Sequence, residues 1–132
     1  MPAARVAATR AAGIPDERVY VDPLVMTIST NVQSANIAVA TMRAVKAAYP
    51  AVHMTSGLSN VSFGLPARAL VNRTYLTLAV EAGLDSAILD PLDRELKATL
   101  LATELLLGKD RHCLAYTRAF RAGLLGPAPA TK

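Results

Sequence analysis

One unit of sequence occurs twice in this chain, and it restricts the fold more than any other feature. Ala12-Gly13 leads into an apolar segment that ends Val21-Asp22-Pro23-Leu24, and Ala82-Gly83 leads into one that ends Leu89-Asp90-Pro91-Leu92. In each copy a glycine ends a helix-like segment, a strand-like segment follows, and an Asp-Pro pair closes it. Such a repeat is typical of folds built from parallel βα units.

The rest of the chain alternates in the same way. Helices are predicted over residues 3–12, 37–48, 66–82, 93–107 and 112–122, and strands from Val19 through Ile28, over residues 52–54 and over residues 86–89. The first strand is nearly all apolar, which predicts burial of both its faces in a parallel sheet. The fold class is therefore α/β, with about three parallel strands joined by right-handed crossovers.

Length and composition narrow the possible functions. The 132 residues suffice for one compact domain, whereas a complete (β/α)8 barrel needs roughly 200 to 250 residues. The net charge of +4 comes without a basic run, which argues against nucleic-acid binding. One cysteine and two distant histidines exclude an intrachain disulfide and predict no metal site. No apolar stretch is long enough to span a membrane, and a reducing cytoplasm is the expected location.

Ligand-binding residues of βα-repeat folds lie at the carboxyl ends of the strands, where this sequence has two aspartates. The carboxylate of Asp22 could bind a cyclic amidine-type edge of a ligand through both oxygens, or could bond to local backbone beside the proline. Asp90 is better explained as the N-cap of the next helix, with Asp93 in its first turn.

The segment from Gly57 to Gly64 is the most distinctive of the candidate sites. Its glycines allow a ligand close to the backbone, and Ser59, Asn60 and Ser62 offer small neutral donors and acceptors. An ordinary turn would use the same residue types. Arg68, at the start of the following helix, could reach an anionic group of a ligand or remain a solvated charge.

Two further residues that are often reactive receive structural interpretations. His53 is predicted to be a packed or hydrogen-bonded side chain on the second strand. Cys113 is predicted to be a core thiol within the last helix, since its neighbour His112 points about 100° away on a helix and cannot activate it.

The segment Gly57-Leu58-Ser59-Asn60-Val61-Ser62-Phe63-Gly64-Leu65-Pro66 resembles the strand-loop segment of methyltetrahydrofolate:corrinoid methyltransferases, including the pterin-binding part of cobalamin-dependent methionine synthases. Val21-Asp22-Pro23-Leu24-Val25 is similar to that family's sixth barrel strand, and Asn72-Arg73-Thr74 to part of the helix after the loop. The segment from Ala87 to Asp93 is similar to the eighth strand and the start of its helix. The resemblance extends over nearly the whole chain, and the loop is its most specific part.

The resemblance implies a fold and a reaction. Residues 1–124 would form the C-terminal part of a pterin-binding (β/α)8 barrel, a partial TIM barrel with strands 6 to 8, and residues 125–132 a flexible tail. The reaction would move the N5-methyl group of 5-methyltetrahydrofolate to the cobalt of a corrinoid (cobalamin) carried by a partner protein. Asn60 would be catalytic, near N5. The implied pterin-binding residues are Asp22, Gly57, Ser59, Asn60, Ser62 and Arg68, and no metal ligand is implied.

The family's first five strands have no counterpart in the sequence, which leaves a second possibility open. Three strands cannot close a barrel, so the sheet would keep open edges. The chain could then be a non-catalytic assembly module that pairs with a companion chain carrying the missing strands, or with copies of itself. Dihydropteroate synthase, another pterin enzyme, is disfavoured because it needs a lysine where this chain has the loop.

Overall fold

The computed structural model describes residues 2–127 and divides the chain into two compact units, Met1–Leu89 and Asp90–Lys132. The elements of the first unit are α1 (Pro2–Ala11), β1 (Tyr20–Val21), α2 (Ser34–Ala48), β2 (His53–Gly57), α3 (Arg68–Glu81) and β3 (Ser86–Ile88). The strands form one parallel sheet in the order β1-β2-β3. The predicted α/β class and the parallel sheet are confirmed.

The first helix ends as the sequence predicts. Gly13 adopts φ +75°, its N–H donates to the carbonyl of Arg10, and the N–H of Ile14 donates to the carbonyl of Thr9 at 2.9 Å. This pair of bonds is a Schellman cap, which needs a left-handed residue and so favours glycine. The cap turns the chain from α1 toward β1.

The two faces of the sheet differ in exposure. On one face, Met54 and Ser56 are buried to 0% and 1% exposure, and α2 contacts β2. The other face is open. Tyr20 lies beside His53 in the register and is 59% exposed, and Ile88 lies beside Gly57 and is 77% exposed. A closed barrel would turn this open face toward its interior.

The first strand is much shorter than predicted, and the expectation that it is buried on both faces is wrong. It pairs with β2 only through Tyr20 and Val21. Beyond Val21, the Asp22 carboxylate accepts the N–H of Leu24, and Leu24 adopts φ 55°. This local turn competes with continued extension and ends the strand.

A charged cluster joins the amino ends of β2 and β3. The Asp85 carboxylate accepts the backbone N–H of Met54 at 2.8 Å and lies 2.9 Å from Nδ1 of His53 and 3.4 Å from Nζ of Lys46. The His53 ring also stacks on Tyr20, with ring centroids 4.8 Å apart. The prediction that His53 is a hydrogen-bonded structural side chain is confirmed.

The second unit contains α4 (Arg94–Leu106) and α5 (Leu114–Arg121). The predicted capping role of Asp90 is wrong. Asp93 is the N-cap of α4 and accepts the N–H of Leu96 at 2.9 Å, whereas Asp90 accepts the N–H of Leu92. The two Asp-Pro-Leu segments therefore make the same turn, in which each aspartate bonds the N–H two residues on.

Helix α5 begins two residues later than predicted, and the buried-thiol interpretation of Cys113 is wrong. His112 and Cys113 both adopt φ 57°, and Cys113 is exposed just before the helix. The Asp110 carboxylate accepts the N–H groups of Ala115 and Tyr116 at 2.9 Å. These bonds fix the start of the helix in place of a neighbouring N-cap residue.

We expect Asp110 to make α5 sensitive to acid. The N–H groups of Tyr116 and Ala115 hold the pKa of its carboxyl below the ordinary value. Since the folded pKa is the lower one, the stabilisation is present above the unfolded pKa of about 3.9 and disappears as pH falls through the folded pKa. At pH 7, circular dichroism should show lower helicity for Asp110→Ala than for the parent. At strongly acid pH the variant and the parent should have the same helicity. The exposed Glu17→Ala variant is the control and should match the parent at both pH values.

The described part of the predicted tail contacts α4. Nη2 of Arg94 donates to the carbonyls of Gly123 and Gly126, at 2.6 and 3.2 Å. Residues 128–132 of that tail lie outside the described residues. Within residues 2–127, no helix combines the length and the apolar character needed to cross a membrane.

Candidate functional site

The loop after β2 is held by the guanidinium group of Arg68. Residues Ser59–Ser62 form a 3₁₀ turn. Arg68 donates from Nη2 to the Ser59 carbonyl at 2.8 Å and from Nε to Oγ of Ser62 at 3.0 Å. Its guanidinium carbon also lies 5.7 Å from the ring centroid of Phe63. A charged planar donor with contacts to three loop residues restricts how far the turn can move.

The same loop is bonded to the segment that follows β1. The N–H of Ile28 donates to the Val61 carbonyl at 3.0 Å. The hydroxyls of Thr27 and Ser29 both donate to the carbonyl of Phe63. These long-range bonds bring the carboxyl ends of β1 and β2 together, although more than thirty residues separate the partners in sequence.

A small open cavity lies where these two strand ends meet. Its volume is about 100 Å³, and it is lined by Asp22, Leu24, Val25, Met26, Gly57 and Asn60. Pockets for small molecules usually measure roughly 300 to 1,000 Å³. The cavity is therefore too small to enclose a typical small-molecule ligand by itself.

Asp22 is an exposed carboxylate that already makes one local bond. Its Oδ1 accepts the N–H of Leu24 at 2.8 Å, as the local-backbone interpretation predicts. Within residues 2–127, Oδ2 accepts no hydrogen bond, and Asp22 is among the residues that line the cavity. A ligand that bonds to both oxygens would share Oδ1 with Leu24, which the lone pairs of a carboxylate permit.

Asn60 lines the same cavity, close to Gly57. A Cβ placed on Gly57 would lie 3.9 Å from Nδ2 of Asn60, at ordinary contact distance. Across the described residues, the Asn60 side chain has no hydrogen-bond partner, and the residue is exposed. Its amide is free to present either the oxygen or the NH₂ group to a ligand.

The other predicted pterin-binding residues have structural contacts in the loop. Ser62 is fully buried, and its hydroxyl donates to the Ser59 carbonyl while accepting from Arg68. The carbonyl of Ser59 is thus bonded twice. Neither serine nor Arg68 lines the cavity, so the structure groups Asp22, Gly57 and Asn60 and separates them from Ser59, Ser62 and Arg68.

Sequence reasoning missed the apolar wall of the cavity. The sequence predicts Leu24, Val25 and Met26 in a strand buried on both faces, whereas Leu24 and Met26 are 73% and 64% exposed. The Asp-Pro pair was the available signal, because it predicts a turn at that point.

Comparison with known proteins identifies the family of this chain. Residues 2–90 match the model of the pterin binding enzymes. The chain belongs to this pterin-binding enzyme family. A methylcorrinoid:tetrahydrofolate methyltransferase of Eubacterium limosum is 46% identical over 113 residues, which are 86% of this chain and 42% of that protein.

Methionine synthases of Mycobacterium tuberculosis and Mycobacterium leprae are 38% and 39% identical over 82 residues, or 58% of this chain and 7% of each relative. The chain thus spans less than half the length of these pterin-binding relatives. The names of these relatives agree with the resemblance found in the sequence, which is to pterin-dependent methyltransferases. Among residues 2–127, no cluster of His, Cys, Asp and Glu is arranged to hold a metal ion.

Gly57→Ala should lower the affinity for a pterin without changing the stability of the fold. The added methyl group meets no protein atom closer than 3.9 Å, so stability should stay within about 0.5 kcal/mol of the parent. The methyl group enters the space beside Asn60, where overpacking costs about 1–3 kcal/mol, and pterin affinity should fall about tenfold or more. Denaturant unfolding and equilibrium titration measure the two effects. An unchanged affinity would remove Gly57 from the site.

Proposed function

We propose that this chain is the C-terminal part of a methyltransferase that moves a methyl group between N5 of tetrahydrofolate and the cobalt of a corrinoid protein. The observation that carries the proposal is the cavity at the carboxyl ends of β1 and β2, where Asp22, Gly57 and Asn60 meet. Family membership and the names of the relatives support the choice of ligand.

The residues fit one edge and one nitrogen of a pterin ring. Asp22 can accept from the amino and N–H groups of a 2-amino-4-oxo edge through its free Oδ2 and through Oδ1, which would be shared with the N–H of Leu24. Gly57 leaves room for a flat ring to approach the backbone. The exposed apolar side chains of Leu24 and Met26 offer the ring a non-polar contact.

Asn60 is proposed to follow the protonation of N5. When the methyl group leaves, the C–N bond breaks, its electron pair stays on N5, and the nitrogen takes up or shares a proton. The corrinoid of the partner supplies the electron pair that bonds the methyl carbon. An amide that accepts a hydrogen bond from protonated N5 and donates one to unprotonated N5 can stabilise the transition state more than the ground state. The chain then needs no nucleophile of its own.

The direction of transfer is part of the proposal. The sequence resemblance implied transfer from 5-methyltetrahydrofolate to cobalt, whereas the name of the Eubacterium limosum relative puts the methylcorrinoid first. By microscopic reversibility the same residues serve both directions. We propose that the chain acts in the cytoplasm, with a separate corrinoid protein as its partner. Transfer of the methyl group to cobalt is the direction to assay.

A reconstitution assay tests this function. The chain is combined with the part of the Eubacterium limosum relative that has no counterpart here, a corrinoid protein in its reduced form and 5-methyltetrahydrofolate. The proposal predicts the spectral change of cobalt methylation at a rate above that of the corrinoid protein alone. A complex that binds folate without transferring the methyl group would contradict it and would favour the non-catalytic assembly module.

A further inference from the structure

We infer that Arg68 is a positioning residue for Asn60. Its guanidinium group holds the peptide group that precedes Asn60 and thereby sets the direction in which the amide enters the cavity. The inference rests on the proposed function, since it takes Asn60 as the residue that follows the protonation of N5. It gives Arg68 a part in the rate of methyl transfer, in place of the contact with the pterin that the sequence resemblance implied.

The two peptide groups on either side of Asn60 are both held by hydrogen bonds. Nη2 of Arg68 donates to the Ser59 carbonyl at 2.8 Å, and the Ser62 hydroxyl donates to the same oxygen at 3.2 Å. Because a peptide group is planar, two donors on this oxygen also restrict the N–H and the Cα of Asn60. The Asn60 carbonyl accepts the N–H of Phe63 at 3.2 Å. The direction of the Asn60 Cα–Cβ bond therefore depends on these bonds.

The side chain of Asn60 does not hold itself in place. Its amide has no hydrogen-bond partner among the described residues, and the residue is exposed. Rotation about its side-chain bonds lets the amide present either its oxygen or its NH₂ group, whereas a shift of the backbone would move both groups away from N5. A change at Arg68 should therefore reach the reaction through the backbone of the turn.

Arg68 holds the loop by the shape of its guanidinium group as well as by its charge. Nε donates to the fully buried hydroxyl of Ser62 at 3.0 Å, while Nη2 donates to the Ser59 carbonyl. The guanidinium carbon also lies 5.7 Å from the ring centroid of Phe63. The ammonium group of a lysine is a single donor on a flexible chain and cannot reproduce this planar, stacked arrangement. Lysine should therefore replace Arg68 poorly, although it keeps the charge.

The backbone directly before Arg68 is strained. Ala67 adopts φ 51° and ψ 42°, a left-handed conformation in which the Cβ of an L-residue approaches the following carbonyl oxygen. A residue persists in this conformation where the surrounding structure fixes it. Arg68 is the next residue and the first of α3, so its bonds to the loop hold the chain in this strained turn.

An anionic group of the ligand is the alternative partner for Arg68. The residue is exposed, and Nη1 donates to no acceptor within residues 2–127. Against this role, Arg68 does not line the cavity, and its two bonded nitrogens point into the loop. The two roles predict different effects. Loss of an anion contact lowers the affinity for folate, whereas loss of positioning lowers the rate of transfer from the bound ligand.

Arg68→Lys and Arg68→Gln in the methyl-transfer assay separate the two roles. Both variants should slow the single-turnover step about 10–100-fold, because a small misplacement of a reacting group is that costly. The dissociation constant of 5-methyltetrahydrofolate should change by less than about threefold. A parent rate for Arg68→Lys, or a raised dissociation constant with an unchanged rate, would overturn the inference.

Arg43→Gln is the matched control for the loss of an arginine. The side chain of Arg43 is 57% exposed and forms an ion pair with Glu81 away from the loop. Exposed ion pairs contribute little to stability, so this variant should keep the parent rate and affinity. Slowing equal to that of Arg68→Gln would count against a specific role of Arg68.

A double-mutant cycle with Asn60→Ala distinguishes positioning from general damage to the loop. Where the Asn60 amide is already absent, Arg68→Gln has no amide to misplace and should slow the transfer no further. Equal slowing by Arg68→Gln in the presence and in the absence of the amide would mean that the two residues act independently, and the inference would be wrong.

Hydrogen exchange of the chain, followed by NMR, tests the inference without methyl transfer. Arg68→Gln should speed exchange of the Phe63 N–H, whose acceptor is the Asn60 carbonyl, by about tenfold or more. The N–H of Leu84, which donates to the Ala79 carbonyl, is the internal control for the fold and should exchange at the parent rate. Unchanged exchange at Phe63 would overturn the inference. A parent enzyme without methyl transfer would contradict the proposed function, and the exchange rates would then decide the role of Arg68 alone.

Discussion

Met54→Ala should destabilise the chain by about 2–5 kcal/mol, the largest stability effect that we expect from a single substitution. Met54 lies in the central strand β2 and is fully buried. Its truncation removes apolar contacts and leaves a cavity that the strand backbone can close only in part. Since natural domains are stable by about 5–15 kcal/mol, this loss is a large fraction of the free energy of unfolding.

Met26→Ala is the matched control for this substitution. Met26 is 64% exposed, so the same chemical change should alter stability by no more than about 0.5 kcal/mol. Urea unfolding followed by circular dichroism gives the free energy of unfolding of both variants. Similar values would mean that the buried face of the sheet is not the core of the first unit.

Asn60→Ala should slow methyl transfer by the reconstituted enzyme by about 10²–10³-fold. The expected effect is this large because the amide is the cavity's only side chain that can both donate to and accept from N5 within the described residues. Stability should hardly change, since the exposed side chain makes no hydrogen bond in residues 2–127. Single-turnover kinetics, read from the corrinoid spectrum, measure the chemical step.

Asn36→Ala is the control for the loss of an amide. Asn36 is exposed on α2, and its Nδ2 donates to the side chain of Gln33 outside the cavity. This variant should transfer the methyl group at the parent rate. If Asn60→Ala also retained the parent rate, Asn60 would have no role in the chemistry, whatever the fold of the complex.

The succession of elements could be predicted because it depends on local signals. The glycine after α1 and the apolar spacing of α2 each act over a few residues. The predicted length of β1 is wrong although Asp22-Pro23 is a turn signal, because the apolar run after it also fits a strand; the Asp22 carboxylate accepts the N–H of Leu24 and the strand ends there. The predicted start of α5 is wrong for a related reason. The Asp110 carboxylate accepts N–H groups of residues five and six positions later in the chain.

The candidate site was predictable in part. Its place at a predicted strand end indicates Asp22, and the loop and its resemblance indicate Gly57 and Asn60; the structure brings these three residues to one cavity. The bonds from Thr27 and Ser29 to Phe63 span more than thirty residues and have no signature in a single sequence. The same is true of the contacts of Arg68, which connect it to the loop and not to the cavity.

We propose that Asp22, Gly57 and Asn60 form one wall of a pterin site, and a chemical-shift titration of the chain tests this proposal. We expect saturable shifts of the backbone amides of these three residues on addition of 5-methyltetrahydrofolate, with Gly108 and Gly123 of the second unit unaffected. Binding should be weak, because a cavity of about 100 Å³ encloses little of the ligand. No saturable shift up to about 10 mM ligand, or shifts confined to other residues, would contradict the proposed pterin site.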